Sequence, residues 1–185
     1  MMARAGSGLD RLATPQREKL RRLGVRVGAL DLFHPDLVKA RPLSLWRELT
    51  GNTGEMAEPM APVITPKGKA TPLGYRRLGT QAIRLDRAEL LLREAHGRRA
   101  TAGKKPFTLD PTQAVKIGLT TRAYAHLLRM AGFRAIMPRA LPEGAQGPMP
   151  PVVWRWQPPR PEAEPETRAP ADPASPFAAL AQLVA

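Results

Sequence analysis

Apolar residues recur along this chain with two different periods, and the changes of period mark its elements. Residues 1–13 mix Gly, Ser and Arg with neither period and are expected to be disordered. Thr14 then offers an N-cap and Pro15 a first helical position, so TPQREKLRRL reads as a helix closed by Gly24. Val25, Val27 and Ala29 alternate with Arg26 and Gly28, the pattern of a half-buried strand ending before Pro35. From Pro35 to Leu49 the apolar set Leu37, Val38, Leu45, Trp46 and Leu49 predicts one or two short helices, interrupted near Pro42.

Four prolines and four glycines over residues 51–74 predict a surface loop or linker. Order returns with GYRRLGTQAIRLD, a short strand. Asp86 and Glu89 then have the spacing of a reciprocal capping box, and Leu85 and Leu90 that of a hydrophobic staple, which predicts a helix over 87–96. HGRRATAGKKP is basic and poor in apolar residues and reads as a loop. Residues 107–136 have the layout of a helix-turn-helix. Asp110 serves as N-cap, Pro111 as first helical residue and Gln113 as the far end of a capping box; Gly118 turns the chain, and Thr120 or Thr121 opens a second helix that closes at Gly132. Ala114 supplies the small side chain a steep helix crossing needs. Tyr124, Leu127, Leu128 and Ala131 form the buried stripe.

Twelve prolines from Pro138 to Pro176 predict a disordered tail over 138–185, interrupted by VVWRWQ and by a short terminal helix in PFAALAQLV. LRRLGVRV, YRRLGTQAI and LRMAGFRAI each read as a helix or turn end, a glycine and a strand. Together these elements predict an α+β fold, mainly helical, of short strands and capped helices ending in the helix-turn-helix-like pair. The segments are 1–13, 14–50, 51–74, 75–137 and 138–185.

Charge changes the picture. The 185 residues carry 29 Lys and Arg against 16 acids, a net +13. Residues 161–185 hold Glu162, Glu164, Glu166 and Asp172 against one base, Arg168, so the excess on the rest is larger still. That much like charge resists compaction and implies a polyanionic partner, nucleic acid first. Cysteine is absent, which excludes disulfides and thiolate metal sites; His34, His96 and His126 have no paired ligand spacing, so no metal is expected. No stretch of 18 apolar residues occurs and the opening segment lacks a signal-like apolar run, which predicts a cytoplasmic chain with no membrane partner.

Arg122, His126 and Arg129 fall at i, i+4, i+7 on the polar side of the second helix, an arrangement suited to phosphates or base edges. Arg21, Arg22, Arg26, Arg76, Arg77, Lys104, Lys105 and Arg134 are further candidate phosphate contacts. Trp154 and Trp156 are either a stacking platform for single-stranded bases or a pin that fixes the tail to the domain. Phe177, Leu180 and Leu183 have the spacing of a docking helix. Gly68-Lys69 and Gly103-Lys104 both lack the first glycine of a phosphate-binding loop, and no acidic box stands ready for magnesium. No catalytic residue is assigned.

LRRLGVRVGALDLFHPDLVKARPLSLWREL resembles the segment that follows the motor in the mitochondrial degradasome RNA helicase family and its alphaproteobacterial relatives, superfamily 2 ATP-dependent helicases. GTQAIRLDRAELLLREA is similar to a later strand and capped helix of that family, FTLDPTQAVKIGLTTRAYAHLLRMAGFRA to its final helical pair, and WRW and SPFAALAQL to its tail. The likeness spans most of residues 17–185 and omits both motor domains. It implies RNA binding and docking on a motor or ribonuclease partner, with no cofactor in this chain; ATP and Mg belong to a motor supplied elsewhere. The expected function is a non-catalytic module gripping single-stranded RNA or DNA. The alternatives are a helix-turn-helix regulator of duplex DNA and a basic protein-interaction module.

Overall fold

The computed structural model describes residues 2–4, 7–9, 12–51, 61–68, 70–138 and 150–158. Among these residues the chain is an α+β fold of five α-helices, a 3-10 turn and three small antiparallel sheets. Helix α1, Thr14–Arg22, begins one residue earlier than the expected Thr14 cap implies: Ala13 is the N-cap, and the Gln16 side chain accepts from its N–H at 3.0 Å. The chain that follows forms two strands rather than one. Strands β2, Arg26–Val27, and β3, Asp31–Phe33, pair antiparallel across a turn in which the Gly28 N–H donates to the Asp31 carbonyl at 2.8 Å. Strand β1, Met2–Ala3, pairs with the other edge of β3, so this part of the N-terminal segment has a place in a sheet.

The 3-10 turn Pro35–Val38 and helix α2, Ala40–Thr50, divide at Lys39 and not at Pro42. Pro42 sits in the first helical turn, where a missing N–H costs nothing. Val38 and Leu43 are buried, whereas Leu37, Leu45 and Leu49 are exposed, Leu49 at 78%. Of the apolar set expected to pack here, Val38 is buried while the other four are turned outward, and Val38 makes the small core with Phe33 and Leu85. Strand β4, Val63–Ile64, interrupts the expected loop by pairing with Ile83 and Ala82. Strands β5, Tyr75–Leu78, and β6, Gln81–Arg84, form a hairpin, so the second glycine of the sequence repetition turns between strands while Gly24 and Gly132 lead from helix to strand.

Helix α3 runs over Leu85–Ala102, through Gly97 and most of the basic stretch expected as loop. Leu85, Ala88, Leu91, Leu92 and Ala95 bury one side of it, and tertiary packing of that stripe outweighs the roughly 1 kcal/mol cost of an interior glycine. The expected capping box is absent: the Asp86 carboxylate takes Arg84 in a two-point contact, at 2.6 and 2.9 Å, and the Glu89 carboxylate reaches across to the Ala29 N–H at 3.0 Å. Leu90 is exposed, so no staple forms. Strand β7, Phe107–Thr108, helices α4, Thr112–Lys116, and α5, Thr121–Met130, and strands β8, Phe133–Ile136, and β9, Val153–Trp156, complete the fold. Strand β9 lies between β7 and β8, so VVWRWQ is the middle of a sheet and not an island in a tail.

A half-buried ion pair ties the first sheet to the hairpin. Arg76 on β5 donates through Nε to Asp31 Oδ2 at 2.7 Å and through Nη2 to Oδ1, with side chains 17% and 14% exposed. Removing one partner leaves the other desolvated without compensation. Asp31→Ala is therefore expected to lower the unfolding free energy by about 2 kcal/mol, seen in urea as a lower midpoint at unchanged slope. A loss below about 0.5 kcal/mol would show that the pair does not hold these elements together.

Candidate nucleic-acid interface

The helix-turn-helix forms from the residues that predict it. Asp110 Oδ1 accepts from the Thr112 N–H at 2.9 Å and from the Thr112 hydroxyl at 2.6 Å, which start α4. Ala114 and Leu119 are buried at the crossing, and Gly118 takes φ +91°, a conformation that a Cβ would strain. The Thr120 hydroxyl then accepts from the Ala123 N–H at 3.2 Å and caps α5. The turn is also held from outside. Gln81 of β6 accepts from both the N–H and the hydroxyl of Thr120 at 2.9 Å and donates to the Gly118 carbonyl at 3.0 Å.

Tyr124, Leu127, Leu128 and Ala131 are buried as the stripe predicts, and Phe133 beyond them is fully buried. Burial pushes the Tyr124 phenol up to about 12, with the charges of Glu94 and Asp110 acting the same way. Helices α4 and α5 are followed by β8 and β9 in a sheet arranged β7–β9–β8, so that β8 and β9 form a ribbon next to α5.

Arg122, His126 and Arg129 line the exposed face of α5, as their spacing requires. Arg134 is exposed on β8, directly opposite Arg155 on β9. Like charges at directly opposed positions destabilise a strand pair by some tenths of a kcal/mol up to about 1 kcal/mol, and neither guanidinium has an acidic partner among the described residues. The opposed pair is a second concentration of unpaired positive charge. Arg155 has no periodic signal in the sequence, because its position opposite Arg134 depends on a register set across the proline-rich stretch.

A third basic feature is a cleft of about 560 Å³ between α1, β2, the 3-10 turn and α3. It brings together Arg21 and Arg26, both expected as phosphate contacts, with Arg93 and His34, which were not. Glu89 lines it too, its side chain 16% exposed. Burial pushes the Glu89 carboxyl above its usual range, while the Ala29 N–H, Arg93 and Arg26 hold it down and Asp31 adds to the rise. Arg93 stands 3.9 Å from a carboxylate that is largely buried.

Other candidates are placed differently. Arg76 is taken up by Asp31, and Arg77 donates to the carbonyls of Gly68, Ala70 and Gly79. Arg22 is exposed on α1, and Lys104 and Lys105 are exposed in the turn after α3, apart from these groupings. Trp154 is buried, 6% exposed, in the main core. Trp156 donates from Nε1 to the Ala131 carbonyl at 3.2 Å and carries the Arg99 guanidinium 3.5 Å above its ring. The two tryptophans pin this segment to the domain, and the ring face under Arg99 is covered. Phe177, Leu180 and Leu183 lie outside the described residues. Among the described residues no three His, Asp or Glu side chains gather as a metal site, and no helix is long and apolar enough to cross a membrane.

Comparison with protein-family models, with curated proteins and with solved structures returns no match.

His96 packs beside Trp156, its ring 4.9 Å from Phe133 and 6.2 Å from Trp156. Burial, and then the charges of Arg99 and Arg4, lower its pKa below the ordinary 6.5. The unfolded chain therefore takes up this proton first, so stability present above pH 6.5 is lost as the pH falls through the window beneath it. His96→Phe is expected to flatten the pH dependence of the unfolding free energy in that window. An unchanged slope would mean that the folded state binds the proton as readily as the unfolded chain.

Proposed function

We propose that this chain is a nucleic-acid-binding module that grips backbone phosphates with the exposed face of α5 and with the opposed arginines of the β8–β9 ribbon. The observation that carries the reading is the concentration of uncompensated charge on α5 and the β8–β9 ribbon: Arg122, His126 and Arg129 on one helix face, and Arg134 opposite Arg155. Phosphates supply the anions that this charge lacks within the protein. Such contacts position a strand without reading its bases.

The likeness of residues 17–185 to the region following a helicase motor supports a further part of the proposal, that the module works beside a motor or a ribonuclease and supplies grip, not chemistry. One observation favours the duplex regulator as a second reading. Helix α5 turns Arg122, His126 and Arg129 to solvent, and an α-helix, about 10–12 Å across, fits a major groove about 12 Å wide.

The test is equilibrium binding, by fluorescence anisotropy, of matched single-stranded RNA, single-stranded DNA and duplex DNA across a salt series. Salt-sensitive binding that favours single strands is expected. Replacing Arg122 and Arg129 together with Ala should weaken it about tenfold or more and reduce the salt slope by about 1.4, near 0.7 for each phosphate lost. Strong preference among duplex sequences would promote the regulator. A double variant with an unchanged slope would remove α5 from the interface, and no binding at physiological salt would overturn the proposal.

A further inference from the structure

The cleft beside α3 is chemically unlike the α5 face, because it combines guanidinium groups with a carboxylate held in place from below. Its volume of about 560 Å³ lies in the range of roughly 300–1,000 Å³ usual for ligand sites, enough for one nucleotide. The Glu89 carboxylate is fixed by the Ala29 N–H on Oε2, and its approach requires Gly28, since a Cβ there would stand 2.3 Å from that oxygen. Oε1 has Arg93 at 3.9 Å, too long for a hydrogen bond, so this contact leaves its acceptor capacity unused, and Glu89 lines the cleft. His34 Nδ1 accepts from the Asp36 N–H at 3.2 Å, which leaves the proton of the neutral ring on Nε2 as a donor. The other carboxylate at the rim, Asp36, is taken by Lys39 at 2.6 Å. Three arginines and a donor imidazole thus outweigh Glu89 in a concave site.

An anion alone needs no carboxylate in its site, and an acceptor among arginines fits a ligand that joins an anion to hydroxyl donors. A nucleotide with a ribose is such a ligand, and carboxylates accept from ribose hydroxyls in other nucleotide sites. We propose that the cleft holds one ribonucleotide of a bound RNA strand, its phosphate on Arg21, Arg26 and Arg93 and its 2′-hydroxyl donating to Glu89. The assignment rests on the nucleic-acid-binding reading and adds to it a preference for RNA over DNA, because the 2′-hydroxyl is the group that distinguishes the two.

The experiment uses the full chain, a short RNA, the DNA of the same sequence, and copies of the RNA carrying a single 2′-deoxy substitution at successive positions. RNA is expected to bind roughly tenfold more tightly than DNA, and one deoxy position to account for most of the difference. Glu89→Ala should erase that sensitivity while leaving DNA affinity nearly unchanged. Arg26→Ala with Arg93→Ala should weaken both strands. The deoxy series perturbs only the ligand, so it stands whether or not a variant folds. Equal binding of RNA and DNA by the parent chain, or an RNA preference that survives Glu89→Ala in a folded variant, would overturn the assignment while leaving the phosphate-gripping function intact. Competition by a free ribonucleoside monophosphate at micromolar concentration would also overturn it, by showing a mononucleotide site. No binding to any strand would overturn the broader function with it.

Discussion

Helix α3 buries Leu85 against Phe33 and Val38 at its first turn and Ala88, Leu91, Leu92 and Ala95 in the main core along its length. One helix thus forms a floor for two assemblies, the small sheet with α1 on one side and the unit of α4, α5 and the β7–β9–β8 sheet on the other. The short strands have little stability of their own, since two or three residues of ladder cannot offset their ordering entropy. They persist because each is anchored to this floor or to the hairpin beside it: β3 through the Asp31–Arg76 pair, the β2–β3 turn through Glu89, and the helix-turn-helix through Gln81.

These anchors use the acids of the domain. Asp31 is taken by Arg76, Asp86 by Arg84, Asp36 by Lys39, and Asp110 by Thr112. With acids already scarce, their use in structure leaves the arginines of α5 and of the β8–β9 ribbon without counter-charges, and in the cleft leaves three arginines around the single carboxylate of Glu89. The positive surface is therefore a consequence of where the acids go as much as of how many bases there are. Partial burial makes the Asp31–Arg76 and Asp86–Arg84 pairs costly to break, whereas the exposed bases lose little by standing alone in water.

What was legible from sequence is what one local window contains. The α5 stripe, the Thr120 cap, the Asp110 cap and the Gly118 turn all lie within twenty-two residues of each other, and all are found where their spacing puts them. What was not legible is whatever depends on a partner far along the chain. Asp86 and Glu89 have the spacing of a capping box, but Glu89 bonds to a backbone N–H sixty residues upstream, and local spacing cannot weigh that competitor. Gly97 looks like a break until Arg99 beyond it is seen to stack on Trp156. WRW looks like part of a tail because its strand partner, Phe133–Ile136, stands on the other side of a proline-rich stretch. The same holds for the site. The α5 face is a matter of helical period, whereas the cleft and the opposed arginines exist only through tertiary register.

The ribbon shows how the fold sustains a repulsive arrangement. On its inner face Phe133 pairs with Trp156 and Ala135 with Trp154, and burial of Phe133 and Trp154 with partial burial of Trp156 contributes several kcal/mol by order of magnitude, about 2 kcal/mol or more for each large side chain. On its outer face Arg134 meets Arg155 at a cost of at most about 1 kcal/mol. The inner face wins by a wide margin, so the outer face is free to carry charge that works against the strand pair. Because side chains alternate along a strand, the register that buries the tryptophans necessarily also brings the two arginines together. The tryptophans, for which the sequence offers both a surface for bases and a pin, act one layer beneath the surface: their packing holds in place the guanidinium groups that face outward.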